Sequence, residues 1–344
     1  MNTPLSAQTI VQLGTQPASD GWGSDIAPTV RLMGIDSASI VPVMASEIVG
    51  DLRGTQAPNP AHIRTIEEAT CQLGGLLNYQ DADYLFQALF GKDATPATDA
   101  NGTFTRVYKA PLVDYDSDLV DPPSYTIIYG DVSADFGSAT DTLNIVGATL
   151  NSLEISGQTG APLRFTSGWI GKQSQYDALD ATKVDRTVEF AMGDEVTLYI
   201  DPASDAVGST PLTNVSFNFT LSVSANRTLV RHLGSLTPTK FREGKWSGSL
   251  AMQLEFNTQA AALYASIMSR PAPERVLRIK ATKGSGATAR TIQIDFGGVQ
   301  LSAPQAWEYT DELRVLNLSF TGQYQSVLAN WLKVTTLNNV SALA

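Results

Sequence analysis

Strict alternation of apolar and polar residues is the feature that most limits what this chain can become. From Val215 to Val223, the residues Val215, Phe217, Phe219, Leu221 and Val223 project one way and Ser216, Asn218, Thr220 and Ser222 the other. Successive side chains of a strand point to opposite faces. Such a segment therefore packs one face and wets the other, as antiparallel strands do. The same reading predicts strands at Val196–Ile200, Leu250–Phe256, Val276–Lys280, Thr291–Phe296 and Leu316–Phe320, with another marked by Leu143 and Ile145. Short turn-rich links separate them, among them Gly157-Gln158-Thr159-Gly160 and Gly284-Ser285-Gly286.

Two internal segments break the alternation and read as helices. One covers Asp81–Phe90, with Asp81 as cap and Gly91 as stop; the other covers Thr258–Ser269, after Asn257 and before Pro271. Leu263 and Ile267 share one face of the second. Thr65–Thr70 fits a helix less well than a strand.

The surroundings of the two helices match. Ala69–Phe90 aligns with Trp246–Ile267 without a gap, so that Leu73 falls on Leu250, Leu77 on Leu254, Tyr79 on Phe256, Phe86 on Leu263 and Phe90 on Ile267. Inward positions stay inward through both periods. Leu143-x-Ile145-x-Gly147-Ala148-x-Leu150 matches Ile294-x-Phe296-x-Gly298-Val299-x-Leu301, and Leu163–Thr166 matches Leu318–Thr321. The blocks keep their order. The pattern predicts a duplication, with a first β domain at 1–180 and a second at 181–344, meeting near Lys172–Glu189. The first copy has an Asp-rich insertion near 93–135, expected to project from a core that does not need it.

Charge separates the halves. The 344 residues carry a net −11, but residues 1–180 hold 8 basic and 21 acidic side chains against 15 and 13 in the remainder. An acidic surface repels phosphates, which excludes a generally basic nucleic-acid binder. The asymmetry points to an interface between halves or between copies. Asp114, Asp116 and Asp118 on one side and Arg275, Arg278 and Lys280 on the other are its candidate residues.

Little in the chain points to catalysis. One cysteine, Cys71, permits no internal disulfide, and two histidines, His62 and His232, make a histidine-based metal centre or triad improbable on supply alone. Asp114-Tyr115-Asp116-Ser117-Asp118 resembles the start of a calcium loop. Leu119 stands where the turn glycine belongs and Tyr125 where the closing Glu belongs, so the run reads as a solvated loop ended by Pro122-Pro123. Glu67 and Glu68, adjacent on a strand, face opposite ways and cannot share a substrate. Cys71 reads as a small core residue. No glycine-rich phosphate loop opens either helix. Catalytic, metal and cofactor sites are therefore all read as none. The N-terminus lacks the basic and apolar regions of an export signal, and the longest uncharged run, Ala206–Asn226, is too polar to span a membrane.

The stretch Arg64–Gly91 runs as a polar strand, an apolar strand and a short amphipathic helix ending in Phe-Gly. It follows an Arg53-Gly54 turn and a loop holding Pro58 and Pro60, and precedes the strand pair that reaches Gly147 and Leu163–Thr166. Together these features resemble the tail tube proteins, or major tail proteins, of long-tailed bacteriophages. The resemblance implies a mainly β fold: two tandem antiparallel β-sandwich or barrel domains of tail-tube type, each flanked by one short helix. It implies a structural virion protein, made in the host cytoplasm, that forms stacked rings through which DNA passes. The implied partners are other copies, the tape measure protein, and the terminator and tip proteins. Most members of the family carry one such domain and close rings of six. Two domains per chain imply a trimeric ring of pseudo-sixfold symmetry, and the net charge suits an acidic lumen along which DNA slides. The alternative is a monomeric β-sandwich binding or adhesion module, for which Trp22, Trp169, Trp246, Trp307 and Trp331 would have to form an aromatic platform.

Overall fold

The strand Leu143–Gln158 belongs to two sheets at once, and it organises the chain. It turns from one sheet into the other near Gly147, whose φ is +64°. A side chain there would strain the backbone and would also strike Gly23, whose Cα lies 2.7 Å from the position of a Cβ.

The computed structural model describes residues 9–16, 22–48, 62–91, 96–99, 102–112, 123–131, 142–212, 216–268, 274–300, 308–310 and 313–343. The first half contains β1 (Thr9–Thr15), β2 (Val30–Arg31), β3 (Ile35–Ile48), β4 (His62–Leu76), α1 (Ala82–Phe90), β5 (Ala97–Thr98), β6 (Phe104–Lys109), β7 (Tyr125–Asp131), β8 (Leu143–Gln158), β9 (Arg164–Gly171) and β10 (Gln173–Tyr176). The second contains β11 (Val196–Pro202), β12 (Pro211–Leu212), β13 (Ser216–Ser224), β14 (Thr228–Val230), β15 (Lys240–Arg242), β16 (Ser247–Glu255), α2 (Thr258–Ile267), β17 (Glu274–Lys283), β18 (Arg290–Val299), β19 (Glu308–Thr310), β20 (Leu313–Gly322) and β21 (Leu332–Asn338). All strand pairs are antiparallel, as the alternation predicts.

Three sheet regions result. A long one runs β3–β4–β9–β8–β13–β16–β20–β19 and crosses from the first half to the second where β8 meets β13. Behind it lie β2–β1–β7–β8–β10 in the first half and β12–β11–β17–β18–β21–β6–β5 around the second. The apolar faces of front and back sheets enclose the core, which includes Trp169, Tyr125, Leu73, Phe296 and Phe320. Fully burying such a side chain stabilises the fold by about 1.5–3 kcal/mol.

The halves share one pairing order. The first has β3–β4–β9–β8 in front and β1–β7–β8–β10 behind. The second has β13–β16–β20–β18 in front and β11–β17–β18–β21 behind. Each helix follows the second front strand, and Gly298 begins the pairing of β18 with β20 as Gly147 marks the turn of β8.

Three local features differ from the sequence reading. The polar and apolar strands before α1 are one fifteen-residue strand, β4, because β3 pairs along its whole length. Asp81 does not cap α1 with its side chain. Its carboxylate instead accepts from Met33 N at 2.8 Å, Asn78 Nδ2 at 3.1 Å and Arg186, while Asn78 Oδ1 accepts from the Gln80 and Asp81 amides. At α2, Asn257 is the cap, accepting from the Gln259 and Ala260 amides. Finally, the segment 93–135 does not lie wholly outside the sheets. Its end forms β7, which pairs with β1 over seven residues and with β8, and carries the buried Tyr125, Ile127 and Ile128. Its middle, β6, pairs with β21 of the second half.

Candidate channel face and assembly edges

The front sheet has one apolar face and one small polar face. Leu153, Ile155, Phe165, Trp169, Phe219, Leu221, Leu250 and Phe320 point inward and are buried. The residues between them form cross-strand rows on the other side. One row runs Ser39–Gln72–Gly168–Ser152–Ser224–Ser247, and the next Ser37–Gly74–Thr166–Glu154–Ser222–Ser249–Thr321. A row of amides, Gln158–Asn218–Gln253–Asn317, lies beyond. It is tied across strands by Asn218 Nδ2 donating to Gln253 Oε1 at 3.1 Å and Gln253 Nε2 donating to Asn317 Oδ1 at 3.2 Å. The centre of this face holds a shallow concavity lined by Gln72, Ser152, Glu154, Thr166, Ser222 and Ser249. Glu154 is the charge in these three rows; it accepts from Ser222 Oγ at 3.1 Å. These rows are mostly hydroxyls and amides; between the last two, the row Arg164–Ser156–Thr220–Ala251–Ser319 adds Arg164, which pairs with Asp36.

The two edges of the front sheet carry no partner strand among the described residues. One is the outer edge of β3, which pairs only with β4; the other is the outer edge of β19, which pairs only with β20. From Ser37 to Ala45, β3 bears no charged residue, and Val41 and Met44 on it are 52% and 53% exposed.

The charged candidates fall on different surfaces. Asp114, Asp116 and Asp118 lie outside the described residues. Arg275 faces α2, where it donates to Ser266 Oγ. It is buried, and burial pulls its guanidinium pKa down, opposed by Asp201 and Asp205. Arg278 points the other way, to the outside of the back sheet, and grips Asp295 with two bonds of 2.6 and 3.0 Å. Lys280 shares that face. The cross-strand row Tyr199–Arg278–Asp295–Lys333–Lys109 extends the basic strip onto β6 of the first half.

Residues that lock the halves together escaped the sequence reading. Arg227, following β13, is buried beneath α1 of the first half. Its guanidinium donates to Ala88 O at 3.0 Å, Leu89 O at 2.6 Å, Thr149 Oγ1 at 3.1 Å, Leu150 O and Glu243 Oε1 at 2.7 Å. It thus neutralises the orphan carbonyls at the negative end of α1. The signal available was an arginine ending the longest uncharged run of the chain.

The other singled-out residues have structural partners. His232 Nδ1 lies 2.6 Å from Thr239 Oγ1 on the surface. Glu68 pairs with Arg231, and Glu67 with Arg64 at 3.4 Å. Cys71 is buried, which pushes its thiol up to about 12. Trp169 is core, Trp246 stacks on Phe90 at 5.5 Å, and Trp331 meets Phe296 edge-on at 6.0 Å. These tryptophans pack into the protein and make no platform. Among the described residues no group of three or more His, Cys, Asp or Glu side chains could hold a metal ion, and no helix is long and apolar enough to cross a membrane.

No curated protein matches the chain. The family model described as phage tail tube protein matches residues 7–322, which covers both halves, both helices and every strand of the front sheet. With a mainly β fold of the expected kind beneath that match, the chain belongs to the phage tail tube protein family, and is a structural component of the virion tail.

Proposed function

We propose that this chain is the repeating subunit of the tube itself, and that three copies close a ring whose inner wall is the front sheet. The observation that carries the reading is the sheet's construction: eight antiparallel strands, one face packed and the other paved mainly with Ser, Thr, Asn and Gln at its centre. Each half is one tube-type domain, 1–180 and 181–344, and the shared pairing order supports a duplication. Three copies supply twenty-four strands. At about 4.8 Å between strands the wall is about 115 Å around and about 37 Å across. Barrels of about 16–18 strands already leave an aqueous channel, so this one is open to duplex DNA.

The mostly uncharged polar face suits passage better than an acidic one would. Hydroxyls and amides stay hydrated, and without a lysine or arginine row no counterions are released on contact with phosphate, which removes the main source of DNA affinity. DNA passes without sticking. The rings stack into a tube that encloses the tape measure protein and ends on terminator and tip proteins. The subunit is made in the host cytoplasm and has no catalytic task. The rival reading, a monomeric adhesion module, is disfavoured by the inward packing of Trp169, Trp246 and Trp331.

Negative-stain microscopy of the purified protein, with mass measurement of isolated rings, tests the proposal. Rings or tubes with three chains per ring are expected. A protein that stays monomeric at all concentrations sinks the tube reading, and six chains per ring sinks the stoichiometry.

A further inference from the structure

We infer that the outer face of the second half's back sheet docks an extended acidic peptide segment of a partner protein, laid along the row Tyr199–Arg278–Asp295–Lys333–Lys109. This goes beyond the tube reading and does not depend on it. The row has a counterpart in the first half. The match of Leu143 with Ile294 sets Asn144 on Asp295. Ile128 and Gln175 lie opposite Asn144 as Arg278 and Lys333 lie opposite Asp295. Gln12 lies opposite Ile128 as Tyr199 lies opposite Arg278. Gln12–Ile128–Asn144–Gln175 therefore holds the same place in the first half's back sheet.

In the first half that row is covered, and the cover is acidic. Gln12, Ile128 and Asn144 are buried. The segment between β1 and β2 supplies Asp25, whose carboxylate accepts from Gln175 Nε2 at 2.6 Å and from Asn144 Nδ2 at 3.5 Å. The chain after β10 supplies Asp177, which accepts from Asn144 Nδ2 at 3.2 Å, and Asp180, whose amide and carbonyl each bond the Gln12 side chain at 2.8 Å. In the second half, the segment between β11 and β12 reaches Arg278, where a Cβ on Gly208 would lie 2.5 Å from its Nη1. After β21 the chain turns to the inner side: Val340 O accepts from the buried Arg106, and Leu343 packs against the core. Lys280 and Lys333 are left half-buried and Lys109 exposed.

The uncovered row also carries unmatched charge. Asp295 is engaged by Arg278 and by Gln293 Nε2 at 3.0 Å, and Lys283 pairs with Glu195 at 3.3 Å. Lys109, Lys280 and Lys333 make no ion pair with any described residue. Lys333 and Lys109 stand directly opposite on neighbouring strands, where like charges destabilise a sheet. That repulsion brings the fold nothing, and an acidic ligand removes it. The cations alternate with Tyr199, Gln293 and Thr335, which bond the amides and carbonyls of a peptide. The cover of the first-half row is itself peptide, two carboxylates and a stretch of backbone, and it sets the pattern for the ligand.

Fluorescence anisotropy tests this on the purified protein, assembled or not, with a fluorescein-labelled peptide of alternating Asp and Ser as probe. The parent should bind it in low salt and release it as the Debye length falls from about 10 Å to about 3 Å. Lys109→Gln with Lys280→Gln and Lys333→Gln should weaken binding at least about tenfold, three exposed ion pairs being lost, and should melt no lower than the parent. Lys240→Gln with Lys245→Gln, on and after β15 and outside the strip, should bind as the parent does. A parent that does not bind, or a triple variant that binds as the parent does, overturns the proposal. So does equal affinity for a polyphosphate of matched charge, which marks a general anion surface. Binding that appears only with Asp114→Asn, Asp116→Asn and Asp118→Asn makes the chain's own acidic run the occupant and overturns it too. None of these outcomes bears on whether rings form.

Discussion

Arg106 and Asp83 form an ion pair 2.9 Å apart with both side chains out of reach of water, at 3% and 0% exposure. Asp83 is on α1, Arg106 on β6, and the bonds that complete the site come from elsewhere. Asn338 Nδ2 donates to Asp83 at 2.8 Å, Thr336 Oγ1 also donates to it, and Arg106 donates to Val340 O at 2.6 Å. Burial pushes the Asp83 carboxyl pKa up, while Thr336, Arg106, Asn338 and Tyr108 oppose the shift. A helix of the first half is thereby clasped to the last strand of the second.

Removing one member of this pair leaves the other charged and unsatisfied. Arg106→Met alone should cost about 3–5 kcal/mol, and Arg106→Met with Asp83→Leu distinctly less than the sum of the single changes. Urea unfolding monitored by tryptophan fluorescence checks this. Reaction of the Cys71 thiol, shielded in the native protein, gives a second reading of unfolding. Additive losses would show that the two side chains do not act as a unit.

Arg227 closes the same junction from the other side. Arg227→Ala should lower stability by several kcal/mol, since a buried carbonyl left without a donor costs about 1–3 kcal/mol and three are affected. Arg227→Lys should rescue little, because an ammonium cannot reproduce the planar fork. Calorimetry of the parent should give a single transition for both halves. Two resolved transitions in the parent would contradict a rigid junction.

Asp201 is a source of acid sensitivity. Burial raises its carboxyl pKa, but bonds from Ser209 Oγ and the Gly208, Ser209 and Thr210 amides outweigh that and hold it below the usual carboxylate range. A carboxyl depressed in the folded state adds stability above its unfolded value, about 3.9, and that stability is lost as pH falls through the lower folded value. Asp201→Asn should therefore cost about 1–3 kcal/mol at pH 7 and progressively less below pH 4. Thermal melts of both proteins across that range give the comparison, and a penalty independent of pH would count against the account.

The sparse charge of the front face can be tested by adding to it. Glu154→Gln with Ser249→Lys places positive charge among the hydroxyl rows without touching the core. Assembled tubes of this variant should retain DNA at low salt and release it as salt rises, whereas parent tubes retain none. Equal retention by both would mean that this face does not line the channel.

How far the sequence reached can be stated residue by residue. Alternation located β13, β16, β17, β18 and β20 and assigned Phe219, Leu221, Val223 and Leu250 to the core, because period 2 is a local property of the chain. Both helices stand where the alternation breaks. Gly298 is where β18 first pairs with β20, whereas β8 first pairs with β9 at Thr149, two residues past Gly147. The third block is displaced: Leu73 lies opposite Ser167 while Leu250 lies opposite Phe320, so with the first block held fixed Phe320 corresponds to Ser167 rather than Phe165. A shift of two residues keeps every side chain on its face, and a pattern of period 2 cannot detect it.

What the sequence by itself determined is the inside of this protein: its strands, its two helices and its mainly β class. These follow from interactions between neighbours in the chain. The tertiary structure alone decided which polar faces gather into one. Ser39, Gln72, Ser152, Ser224 and Ser247 are spread over more than half the chain and become one row only when six strands align. It alone brought Arg227 to the end of α1 and Asn338 to Asp83, separations of well over a hundred residues that no local pattern encodes. A lone arginine or aspartate looks the same in sequence whether it meets water or a buried partner, because the cost of burying a charge is settled by groups that arrive only when the chain has folded.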